Sequence, residues 1–133
     1  MKAVSAKRVR ALNLGSLVNV ADNSGARIVK IVSVKKGKGV KGRQMACCVG
    51  DWVKVSVRKG NPDIKGQVFD AIVVRQRKPY RRRNGERICF SDNAVILLKD
   101  DKGNPKGTMI KGPIAREVVE RWAHIAKIAS LIV

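Results

Sequence analysis

Residues 68–98 read VFDAIVVRQRKPYRRRNGERICFSDNAVILL. The apolar run 68–74 is strand-like, and 94–98 is its counterpart on the way back. Between them lie a basic arm, the pair Asn84-Gly85 and a return arm. Asn-Gly between extended segments is a strong hairpin signal, because both residues tolerate the positive φ of a type I′ turn. Among the thirteen residues 75–87, seven are Lys or Arg and one, Glu86, is acidic. A two-residue turn would set Arg83 opposite Glu86, Arg82 opposite Arg87, Arg81 opposite Ile88 and Tyr80 opposite Cys89. Like charges facing each other across a strand pair are unfavourable in isolation, but not where the ribbon lies against a polyanion. Pro79 lacks an N–H and suits an edge strand, so the ribbon is expected to project from the body. The plain alternative is a solvated basic loop; the density and single sign of the charge argue against it.

The whole chain repeats that bias. Its 133 residues carry 29 Lys and Arg against 10 Asp and Glu, a net charge of +19. A surface that repels itself this strongly calls for a large anionic partner, and nucleic acid fits best. A membrane surface fits less well, since the basic residues sit between strands rather than along one helix face. No apolar run approaches the length of a membrane span, and no signal peptide is legible at the N-terminus. Cys47, Cys48 and Cys89 lack a CxxC pair, and His124 is distant, so no metal or cofactor is expected. The thiols read as small buried residues of a chain in a reducing, intracellular setting.

Around the central stretch, turn signals recur every 8–12 residues and point to a small closed β-barrel in a mainly β fold. Residues 1–13 form a basic arm, disordered or laid on a partner. Residues 16–21 are a short strand, and Asp22-Asn23-Ser24-Gly25 is a turn. Residues 26–34 form a strand whose apolar residues suggest burial on both sides. Residues 35–43, KKGKGVKGR, hold five basic residues and three glycines, too glycine-rich for a helix and able to approach phosphates closely. They are not a nucleotide-binding phosphate loop, which needs another spacing. Residues 52–58 alternate, with Val53, Val55 and Val57 on the buried face. Residues 108–110 suggest a short strand, and Pro113 suits a helical first turn. Val118, Trp122, Ile125, Ala129 and Ile132 recur at helical spacing, with Glu117, Glu120, Arg121, His124 and Lys127 on the other face. The chain reads as one domain: a basic arm 1–13, a barrel 16–110 with its hairpin at 75–90, and a helical tail 113–133.

Three blocks are similar to a known family. They are NVADNSGA at 19–26; AIVV at 71–74 with the basic hairpin and NAVIL at 93–97; and GTMI at 107–110 with GPIARE at 112–117. In order and spacing the chain resembles the universal large-subunit ribosomal protein fourteen family from residue 17 onward. The longer arm and the Lys- and Gly-rich loop 35–48 resemble archaeal or eukaryotic members. The resemblance implies a five-stranded β-barrel with a projecting β-ribbon and a short helical C-terminal region that breaks near residues 121–124. It implies binding to large-subunit rRNA, bridges to small-subunit rRNA at the intersubunit face, contacts with neighbouring ribosomal proteins, and factors that prevent premature subunit joining. It places the chain on cytoplasmic ribosomes, without self-oligomerisation.

The residues expected at RNA are Lys35, Lys36, Lys38, Lys41, Arg43, Arg75, Arg77, Lys78, Arg81, Arg82, Arg83 and Arg87, with Tyr80 as a base-stacking ring. Charge and periodicity alone reach a β-barrel nucleic-acid binder, such as a chromatin or translation factor. An RNA-processing enzyme would need a catalytic group with a partner. Asp22 and Asp51 are separate turn acids, and Asp100-Asp101 have no His or Cys nearby in sequence.

Overall fold

The computed structural model describes residues 2–37 and 39–133. Along the chain come β1 (Ala6–Lys7), β2 (Leu12–Asn13), β3 (Leu17–Val20), β4 (Ala26–Val34), β5 (Ala46–Cys47) and β6 (Trp52–Gly60). Then follow β7 (Val68–Arg75), β8 (Tyr80–Arg82), β9 (Arg87–Ile88), β10 (Ala94–Leu97), β11 (Pro113–Ile114), α1 (Arg116–Arg121), α2 (Ala123–Ala126) and β12 (Leu131–Ile132).

Among the described residues, five strands close into a barrel in the order β10-β3-β4-β6-β7. Within the barrel, β10–β3 is the parallel pair and the others are antiparallel. Strand β6 shows how the sequence dictates this wall. Val53, Val55 and Val57 are buried while Lys54 and Arg58 are exposed, the period-two alternation of a half-buried strand. Strand β4 departs from the two-sided burial expected of it. Val29, Ile31 and Val34 are buried, but Val32 is 47% exposed. Its register against β6 shifts at several points, and each irregularity re-aims the following side chains, so consecutive apolar residues do not mark two covered faces.

Strands β7 and β10 are the ones covered on both sides. Ala71, Val73, Val95 and Leu97 fill the barrel. Ile72, Val74, Ala94 and Ile96 face outward into a second cluster with Tyr80, Ile110, Ile114, Val118 and Ile125. That second cluster is where the C-terminal region docks. Pro113 lies in β11, extended and paired with Leu131, rather than opening a helix. Helix α1 has six residues and no side-chain cap at Ala115, too little to persist alone. The Ala115 N–H instead donates to Val74 O at 3.2 Å, and Val118 is buried beneath it.

The helix breaks at Trp122, which leaves helical geometry at φ −124, ψ 87. Its indole donates to Gly50 O at 2.8 Å and meets Trp52 edge-on at 5.4 Å. These attachments account for the break that the family resemblance implied. Only the first part of the expected apolar stripe is buried; Ile132 is exposed. Glu117, expected on the polar face, is buried, and His124 is at the surface.

Two sequence blocks 85 residues apart lock one end of the barrel. Asp22 Oδ1 accepts from the Ser24 N–H at 3.1 Å, and its Oδ2 accepts from the Leu97 N–H at 2.9 Å. Asn23 Oδ1 accepts from the Thr108 N–H at 2.9 Å while its amide donates to Thr108 Oγ1 at 2.8 Å. Of the expected strand 108–110, only Ile110 pairs, in a bridge to Asp22. Gly107 is required by the close approach: a Cβ there would stand 2.8 Å from Asn23 Oδ1.

Candidate nucleic-acid interface

The hairpin turns through three residues, not two. Tyr80 pairs with Ile88 and Arg81 with Arg87, and the Arg82 N–H donates to Glu86 O at 2.9 Å. The Gly85 N–H closes the turn on Arg82 O at 3.0 Å, with Gly85 at φ 90. Asn84 Oδ1 accepts from the Glu86 N–H at 3.0 Å. Asn-Gly fits this longer loop as readily as the shorter one, because glycine takes the left-handed position that ends it. The return arm is therefore one residue out from the expected register, which changes every facing pair.

The basic arm at the N-terminus is not loose. Strand β1 adds to the hairpin, with Ala6 opposite Arg82 and Lys7 opposite Arg81, giving the sheet β1-β8-β9 outside the barrel. Directly opposed residues share a face of a sheet. Lys7, Arg81 and Arg87 thus form a row of three cations across adjacent strands ~4.8 Å apart, all exposed. The like-charge pairing anticipated for Arg82 and Arg87 exists, but at Lys7, Arg81 and Arg87.

The other face of this sheet is interior. Ala6, Tyr80 and Ile88 pack into the second cluster. Tyr80 is 2% exposed, and its hydroxyl donates to Glu117 Oε2 at 2.7 Å. A ring so enclosed has no face for a base, which corrects the stacking role expected of it. Arg82 also turns inward. Its Nε lies 2.7 Å from Glu117 Oε1, and its Nη2 donates to Val133 O at 2.6 Å. Arg75 is held likewise, by Asp92 at 2.9 Å and by the carbonyls of Lys111 and Pro113. Arg75 and Arg82 are structural ties in the folded chain, because their guanidinium groups are already engaged within the fold. The missed signal was period two: Arg82 must share a face with buried Tyr80.

Burial raises the Glu117 carboxyl, but hydrogen bonds from Arg82 and Tyr80 outweigh it and hold the group below the ordinary glutamate range. Burial, with Glu117 beside it, pushes the Tyr80 phenol up.

The remaining expected residues, Lys35, Lys36, Lys41, Arg43, Arg77, Lys78, Arg81, Arg83 and Arg87, are exposed. Lys38 lies outside the described residues. Lys35 and Lys36 line a cleft of about 510 Å³ together with Lys7, Arg8 and Arg10 of the arm. Lys7 also borders the neighbouring hollow of Arg81 and Arg87. The arm therefore joins two basic segments that are far apart in sequence. Lys7 and Arg10 belong to the basic arm and not to the residues that the sequence places at RNA. The arm's apolar residues were the available signal: Leu12 is buried and Val9 packs on the second cluster, as in a segment laid on its own protein.

Among the described residues, no group of three or more His, Cys, Asp or Glu could hold a metal ion, and no helix is long and apolar enough to cross a membrane. Cys47 and Cys48 are buried as expected, but Cys89 is exposed, because it follows the edge strand β9.

The family described as ribosomal protein L14p/L23e matches residues 11–133. The chain belongs to that family. The large ribosomal subunit protein uL14 of Nanoarchaeum equitans is 59% identical over 133 residues, covering all of both chains. Proteins of the same name from Methanothrix thermoacetophila and Halorubrum lacusprofundi are each 50% identical, again over the full length of both chains. L14p/L23e proteins are structural ribosomal components, not enzymes. The matches to these relatives run through residues 1–13, the N-terminal arm. The L14p/L23e blocks at 19–26 and 107–110 are the two that Asn23 and Gly107 bring into contact.

Proposed function

We propose that this chain is a structural constituent of the large subunit of cytoplasmic ribosomes and binds large-subunit rRNA through its basic edge sheet and loops. The observation that carries this reading is the row Lys7, Arg81, Arg87. Like charges directly opposite each other across a strand pair are destabilising, and no acid on the row offsets them. A polyanion laid along the row turns that repulsion into attraction, through phosphate neutralisation and counterion release. The contact set is Lys35, Lys36, Lys41, Arg43, Arg77, Lys78, Arg81, Arg83 and Arg87, together with Lys7. With aromatics at 4% of the chain and Tyr80 enclosed, affinity comes from phosphates and RNA shape rather than base stacking. Family membership supports the further partners: small-subunit rRNA at bridges, neighbouring ribosomal proteins, and factors that block premature subunit joining.

The test is a titration of large-subunit rRNA with the full chain at several salt concentrations. About six phosphate contacts give a log–log slope steeper than about −4. An affinity that is flat from low to physiological salt would remove the electrostatic basis of the reading.

A further inference from the structure

The cleft between the N-terminal arm and the loop after β4 is built before any ligand arrives. Arg8 Nη1 donates to Val49 O and to Asp51 Oδ1, both at 2.8 Å. The arm around it is pinned by Gln76, whose amide donates to Val9 O at 3.2 Å, and by β2 pairing with β5. On the opposite wall, the Lys35 N–H donates to Trp52 O at 2.9 Å, and the Lys35 ammonium sits 4.1 Å over the Trp52 ring. Arg121 enters from α1, 3.5 Å from the same Asp51 oxygen.

Six basic side chains, Lys7, Arg8, Arg10, Lys35, Lys36 and Arg121, thus line one cleft with a single acid, Asp51. That acid is already engaged at both oxygens. Oδ1 takes Arg8 and Arg121, and Oδ2 takes the Cys48 N–H at 2.9 Å and its thiol at 3.3 Å. None of the ion pairs among the described residues involves Lys7, Arg10, Lys35 or Lys36. Arg8, Lys35 and Arg121 are held in place by these contacts, so part of the cost of ordering an anion site here is met on folding rather than on binding. A volume of about 510 Å³ is that of a ligand-sized cleft rather than a seat for a lone ion.

We infer that this cleft seats one stretch of RNA backbone, with a phosphate held jointly by Arg10 of the arm and Lys36 of the loop, and so fixes how the edge sheet is oriented on its RNA. The inference rests on the RNA-binding reading above and adds to it Arg10 and a phosphate shared between the arm and the loop.

Neither of the two tryptophans lines the cleft, but each ring lies against a basic residue that does. Trp52 lies under Lys35, and Trp122 lies 5.4 Å from the Arg121 guanidinium. Their emission should change when the full chain binds large-subunit rRNA. Arg10→Ser and Lys36→Ser should each suppress that change and weaken binding about tenfold, and the double variant should be little weaker than either, because one phosphate is held jointly. Arg83→Ser, at the remote hairpin tip, should weaken binding and leave the emission change in place. Thermal unfolding of each variant controls for folding. Additive losses, with the salt slope falling by about two in the double variant, would mean two unrelated surface contacts and overturn the shared seat. Unchanged binding in both single variants would overturn the site itself, while failure of the parent chain to bind rRNA would overturn the functional reading instead. Pyrophosphate is the free-phosphate arm: an emission change saturating as tightly as with RNA would assign the cleft to a free phosphate and overturn the RNA assignment.

Discussion

Arg82 and Glu117 stand 35 residues apart in sequence and 2.7 Å apart in space, with their side chains 8% and 4% exposed. One arginine of a basic run has been drawn inward to neutralise a buried carboxylate. The pair ties the hairpin to α1, and Tyr80 and Val133 O complete its hydrogen bonds.

Arg82→Ser should therefore destabilise the chain by about 3 kcal/mol, since it leaves Glu117 buried without its cation. Arg81→Ser, one residue away, should leave stability unchanged or slightly raised, because it relieves repulsion from Lys7 and Arg87. Denaturant unfolding of the two variants checks this. Equal stability of both would contradict the inward placement of Arg82.

Stability should fall at both ends of the pH scale. Glu117 is held below its ordinary value of 4.5 in the fold, so its contribution is present above 4.5 and is lost as pH falls below it. Cys47 and Cys48 are pushed up to about 12, first by burial and then by Asp51. Their contribution is complete below their ordinary value of 9.0 and is lost as pH rises toward about 12. Tyr80 shifts in the same upward direction. Thermal unfolding across pH should show a plateau between these limits, and in Glu117→Gln the acid-side decline should shrink.

The thiols should separate by reactivity. Only the thiolate is nucleophilic, and burial keeps Cys47 and Cys48 protonated at pH 8. An alkylating reagent should label the exposed Cys89 quickly and the other two only on unfolding. Mass spectrometry of a short labelling reaction should find one adduct; rapid addition of three would place the vicinal pair at the surface.

Gly107→Ala should cost about 1–3 kcal/mol, as overpacking does in tight sites. The added methyl would meet Asn23 Oδ1 and Asp22 Cβ at under 3 Å, and would force apart the two blocks that meet there. A calorimetric melting temperature equal to that of the parent would show that the junction yields without cost.

Much of this was written locally. The alternation of Val53, Val55 and Val57 is enough to make β6 a half-buried strand, since side chains of an extended chain alternate faces whatever surrounds them. Asn84-Gly85 is enough to reverse the chain, since it supplies the left-handed residue that a tight turn needs. The excess of basic residues is a property of composition, and it survives any fold. The order and spacing of three blocks pointed to the family.

What the sequence left open depends on residues far apart meeting. Asn-Gly serves loops of two or three residues equally, so the hairpin register, and with it the outward row of Lys7, Arg81 and Arg87, was decided by which hydrogen bonds the folded sheet could close. Arg82, Arg75 and Tyr80 look like their exposed neighbours in the chain. They turn inward because Glu117, Asp92 and the second cluster await them from 17 to 37 residues away. A helical stripe does not announce its break at Trp122, whose partners are Gly50 and Trp52. Burial of a charge depends on a partner that sequence distance conceals, and only tertiary structure supplies it.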